Sequence, residues 1–176
     1  MIKLTDILSE INITLIRPSL TKEVITKYVS KLMFVIDDIE YVLGIWIPEA
    51  DIPNQIKLTD QTYEIDIISL DFSVKKGYSK QNKLTNVNTP FFILSNIVGC
   101  IDIWANSYKK KFLNTNQNML LNSVYYNPTQ EWTGDNRRDN IFLHYIKKYA
   151  STKNSSVTIK HATGGTQCLF HPALKW

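Results

Sequence analysis

Two runs rich in β-branched and aromatic residues, 32–36 and 39–47, flank the acidic pair Asp37-Asp38. Aspartate tolerates the left-handed backbone of a tight turn, and such runs suit a pleated, half-buried surface. This pattern predicts a β-hairpin. Few folds accept a long apolar hairpin without a sheet to extend it and a layer to cover it, so the rest of the chain is read for both.

Pro48 and Pro53 bracket a loop. Residues 63–74 then read as a third strand, in which Ile65, Ile67, Ser69 and Asp71 alternate with Asp66, Ile68, Leu70 and Phe72. On strict alternation Glu64 and Asp66 face one way and Asp71 the other. Residues 75–89 are polar, contain Gly77 and predict a loop. Thr89-Pro90 is a helix start: threonine supplies a capping oxygen, and proline suits the first helical position. The helix is expected over 90–113, with Phe92, Ile93, Ile97, Cys100, Ile101, Trp104, Tyr108 and Phe112 on its core stripe. Gly99 falls inside it at a cost of about 1 kcal/mol relative to alanine, for which close approach to a sheet is the expected reason.

Residues 119–126 predict a fourth strand, and Asp135 caps a helix reaching Ala150, with Ile141, Phe142, Tyr145, Ile146 and Tyr149 inward. Residues 157–160 and 167–170 predict closing strands joined across Gly164-Gly165. At the other end, Leu4, Ile7, Leu8 and Ile11 recur at helical spacing, so residues 1–16 predict a short docking helix or arm. Arg17-Pro18 interrupts, and Ser19 is read as the cap of a second helix bearing Leu20, Val24, Ile25 and Tyr28. The sum is a single α+β domain over 1–176. It has a mostly antiparallel sheet, two main helices packed on it, a short N-terminal helix and a C-terminal tail at 171–176.

Composition excludes several classes. Apolar residues make up 44% and charged residues 20% of the 176, which is globular rather than disordered. No run of about 18 apolar residues is present, so no membrane partner is expected. The opening residues lack a continuous apolar stretch with a small-residue cleavage site, so no secretory signal is expected. The net charge of +4 is compatible with nucleic acid but does not demand it. Cys100 and Cys168 sit among apolar neighbours and read as buried thiols rather than a disulfide.

Arg137 and Arg138 open the last long helix, where the dipole normally selects acids. An anion site is one explanation, and pairing with Asp135, Asp139 or a neighbouring carboxylate is the favoured one. Lys109, Lys110 and Lys111, with Lys147 and Lys148, form a basic set interleaved with Tyr108, Tyr145 and Tyr149. This fits a nucleic-acid surface, although lysines at a helix C-terminus already have a local reason. His161, Cys168 and His171 fall short of the four paired ligands of structural zinc, so no metal is expected. No Gly-x-Ser-x-Gly elbow occurs, and the carboxylates Glu64, Asp66 and Asp71 read as strand polarity rather than a nuclease centre. No catalytic residue and no cofactor is expected.

The segments PFFILSNIVGCIDIW, MLLNSVYYNP and DNRRDNIFLHYIKKYA follow one another behind KLMFVIDDIEYVLGIWIP and an opening MIKLTDILSEI. In this order the chain resembles a diffuse group of small, mostly uncharacterised proteins encoded by tailed bacteriophages. The resemblance spans most of the chain and implies phage origin without a familiar catalytic centre. Leu8-Ser9-Glu10 also resembles the triplet after which T-even-like phages cleave prohead leaders. Ile47-Pro48-Glu49 matches that triplet equally, and the docking helix is preferred.

The expected function is therefore a non-enzymatic structural or assembly protein of a virion. Its expected partners are other phage structural proteins or a second copy of itself, contacted through Ile7, Leu8, Ile11 and Trp176. A nucleic-acid-binding or host-takeover accessory protein is the alternative. The expected location is the virion or the bacterial host cytoplasm.

Overall fold

The computed structural model describes residues 17–48, 56–75, 89–127, 136–162 and 164–176, with the side chains of 89–92, 136–139 and 162 left aside. The predicted docking helix at 1–16 and most of the predicted 75–89 loop lie outside the described residues. The structure is α+β, with two helices packed against a mostly antiparallel sheet of eight strands.

The meander comes first. Strands β1 (Leu20–Ile25), β2 (Val29–Ile36) and β3 (Ile39–Trp46) pair antiparallel in sequence order. The β2–β3 turn is made by Asp37 and Asp38, with φ of 51° and 64°, as a tight hairpin requires. The predicted helix after Ser19 is wrong: Leu20–Ile25 is strand β1. Its apolar residues fit either period over so short a stretch, and pairing to β2 decides the outcome.

Strand β4 (Ile56–Leu58) pairs the first part of β5 (Thr62–Val74), and β3 pairs the last part. Helix α1 (Thr89–Phe112) follows, then β6 (Asn118–Tyr126), which runs parallel to β5. Helix α2 (Asn136–Thr152) leads to β7 (Ser156–Ala162) and β8 (Gly165–Lys175). Strand β8 inserts between β6 and β7, giving the order β1-β2-β3-β5-β6-β8-β7. The predicted tail at 171–176 is thus mostly strand. Leu174 and Lys175 pair with β6, and the Trp176 backbone exchanges two hydrogen bonds with Met119, at 2.9 and 3.0 Å.

One sheet face carries the core. Ser30, Ile45, Leu70, Tyr126 and Thr166 lie in one cross-strand row, and all are buried. The Trp104 indole of α1 donates to Ser30 Oγ at 3.3 Å, and Phe142 of α2 meets the Tyr126 ring edge-on at 4.7 Å. Both helices therefore cover the same face. Tyr108 donates to the Lys27 carbonyl at 3.0 Å and lies 2.9 Å from the Tyr63 hydroxyl, so these buried hydroxyls are satisfied. Gly99 borders a cleft beside α2.

Cys100 and Cys168 are buried and are not joined in a disulfide. Burial, with a smaller contribution from Glu23, pushes the Cys100 thiol up to about 12. Only thiolate is nucleophilic, so neither cysteine should react with a disulfide reagent while the protein is folded. Release of thionitrobenzoate from such a reagent should wait for urea unfolding. Prompt reaction of the folded protein would contradict this packing.

Candidate functional site: the uncovered sheet face and the interhelix cleft

A cleft in the helix layer is lined by Arg17, Val98, Gly99, Asp102, Ile103, Tyr149 and Thr152. Asp102 sits mid-α1, where α2 and the chain terminus converge. Its Oδ1 accepts from the Tyr149 hydroxyl at 2.5 Å and from the Trp176 indole N–H at 2.9 Å. Lys153 Nζ stands 3.7 Å from the same oxygen and 4.5 Å above the Trp176 ring. Asn106 Nδ2 reaches Oδ2 at 3.3 Å. Burial first, then Asp102, drives the Tyr149 phenol far above its usual range, so it stays a donor. The arrangement is a polar clasp between helices and terminus. The cleft measures about 180 Å³, smaller than the roughly 300–1,000 Å³ of pockets that take drug-sized ligands.

The sheet's other face is built differently. Residues paired in register share a face. Val29, Trp46, Ser69, Tyr125, Gln167 and Lys160 form one row of it, and Val24, Lys31, Gly44 and Asp71 another. No described helix covers these rows. Trp46 is 47% exposed, Val35 45% and Val24 40%. The Trp46 indole lies over Gly44: a β-carbon there would stand 3.1 Å from Trp46 Nε1.

Strand β5 sets the charge of this face. Tyr63 and Ile65 are buried under the helices, but so are Ile68, Leu70 and Phe72. The alternation slips by one residue between Ile65 and Ile68. The slip falls where the neighbouring strand changes from β4 to β3. It brings Asp71 onto the same face as Glu64 and Asp66, which corrects the alternation expected from sequence. Asn122 Nδ2 reaches Glu64 at 3.2 Å and Asp66 at 3.5 Å. The adjacent pair Ile67-Ile68 was the readable sign of the slip, because two successive apolar residues break a period of two.

The sequence-derived candidates are scattered. Ile7, Leu8 and Ile11 lie outside the described residues. Arg137 and Arg138 stand in the first turn of α2, with side chains outside the described set. Lys111 is exposed, but its ammonium donates to the Ile25 carbonyl at 2.6 Å and lies 5.4 Å from the Phe112 ring centre. Lys110 and Lys147 are exposed, and Lys109 is half-buried. Burial, then Lys148 and Lys147, holds His144 below its usual range. Trp176 is engaged by Asp102 and Lys153 of its own chain. Among the described residues, no three His, Cys, Asp or Glu side chains are grouped as a metal ion needs. No described helix is long and apolar enough to cross a membrane.

No protein-family model, no curated protein and no solved structure matches the chain significantly.

Proposed function

We propose that this protein is a non-enzymatic structural or assembly protein of a tailed-phage particle, acting through protein contacts made by the open face of its sheet. The observation that carries the reading is that Trp46, Val35 and Val24 are all exposed on one uncovered face of the sheet. Exposed apolar side chains amid polar neighbours on a flat surface suit contact with another protein. Two observations support the choice over an enzyme or a nucleic-acid binder. The Asp102 carboxylate in the cleft already accepts from Tyr149 and Trp176, and the Lys111 ammonium donates to the Ile25 carbonyl.

The test is particle composition. Mass spectrometry of purified particles should find the protein. A Trp46→Glu chain that keeps the native circular dichroism spectrum should be depleted from them about tenfold, as loss of a central aromatic contact gives. Absence of the wild-type chain from particles, together with binding of labelled DNA that weakens steeply with salt, would favour the nucleic-acid alternative.

A further inference from the structure

We infer that the open sheet face receives an arginine of a partner protein, stacked on the Trp46 indole and paired with the Asp71 carboxylate. The inference deepens the reading of this face as a protein-contact surface and rests on it.

Strand register builds the site. Gly44 on β3 pairs with Asp71 on β5, and Trp46 stands two residues further along β3 on the same face. A β-carbon added to Gly44 would meet Trp46 Nε1 at 3.1 Å and Asp71 Cβ at 3.7 Å. The indole and the acid therefore flank one point, and the glycine leaves that point without a side chain of its own. Trp46 is 47% exposed, and Asp71 is exposed beside it. Among the described residues, no group hydrogen-bonds the Asp71 carboxylate or the Trp46 indole N–H, and no cation pairs with Asp71. Lys31 lies across Gly44 in the same row, two strand spacings or about 10 Å from Asp71 between backbones, and makes no ion pair with it.

These features select the occupant. An aromatic face attracts a cation through its quadrupole, and tryptophan does so best. A carboxylate beside that face adds charge-assisted hydrogen bonds. Arginine uses both at once: its planar guanidinium stacks on a ring while its donors fork onto a carboxylate, and it is weakly hydrated. Lysine is a compact, strongly hydrated charge without that fork. A purely apolar segment laid over Trp46 would cover Asp71 without a partner, which is costly. A phosphate backbone would meet the negative charge of Asp71, with Glu64 and Asp66 further along β5 on the same face.

The probe is a displayed library of random linear peptides, panned on the full-length chain. Selected peptides should share an arginine, and the Asp71→Asn chain should not retain them. Fluorescein-labelled synthetic copies should then bind in polarisation titrations. The dissociation constant should rise about fivefold or more for Asp71→Asn, for Trp46→Leu and for lysine in place of the peptide arginine. Asp66→Asn changes the net charge equally, but Asp66 lies five residues from Asp71. That is roughly 16 Å along the strand, beyond a screening length of about 8 Å, so affinity should stay within about twofold. Circular dichroism verifies folding of each variant. Selected peptides without arginine overturn the inference, as does a selection that yields none. So do peptides that bind Asp71→Asn as tightly as wild type, that tolerate lysine, or that lose as much with Asp66→Asn. Particle composition is read separately. A protein that enters particles through Trp46 but selects no arginine peptides removes this inference and leaves the contact function standing. Arginine peptides selected by a protein absent from particles remove the virion role and leave this site.

Discussion

Replacing Trp104 with alanine should cost about 3–5 kcal/mol of folding stability, read as a lowered urea midpoint with unchanged slope. Trp104 is 1% exposed and lies where α1 meets the meander. Its ring lies 5.3 Å from that of Tyr108, which in turn lies 4.8 Å from Phe112, so removal opens a cavity within an aromatic stack. It also strips Ser30 Oγ of its indole donor. Trp104→Phe keeps most of the volume and should lose much less. A loss below about 1 kcal/mol for alanine would mean that the site collapses freely, contrary to rigid packing.

The second large effect is expected at Asp102. Alanine there leaves the Tyr149 hydroxyl and the Trp176 indole N–H without their shared acceptor. A buried donor left unsatisfied costs about 1–3 kcal/mol. The Asp102 side chain is 35% exposed, so water recovers part of the loss. We expect about 2 kcal/mol for Asp102→Ala, again from urea unfolding. Asp102→Asn keeps an acceptor oxygen and should lose less than half as much. Equal losses for both variants would assign the effect to charge, through Lys153, rather than to the two neutral donors.

What the sequence revealed follows from the range of the forces involved. The hairpin around Asp37-Asp38, the helix from Thr89 and the inward stripe from Ile141 to Tyr149 are local patterns, and the structure bears them out. The stretch Leu20–Ile25 was misread because β pairing is decided by a partner strand and not by the six residues themselves. The C-terminal residues looked free for the same reason: their place is set by β6, some fifty positions away, on the order of the longest pairings a small sheet makes. The candidate site was the least legible part. Its acidic strip depends on one slip in β5, and its Trp46 reads from sequence as one more strand aromatic. Only register shows that Lys31 and Asp71 flank Gly44.

One feature of the layout governs how the chain can be made. Strands β1 and β2 are covered by α1, whose Trp104, Tyr108 and Lys111 reach Ser30, Lys27 and the Ile25 carbonyl. During synthesis the meander leaves the ribosome tens of residues before that helix does. The nascent sheet is therefore naked on both sides for several seconds at ordinary elongation rates. A fragment ending near Lys75 should not persist as a soluble unit, and a host chaperone that holds apolar strands has its natural window there.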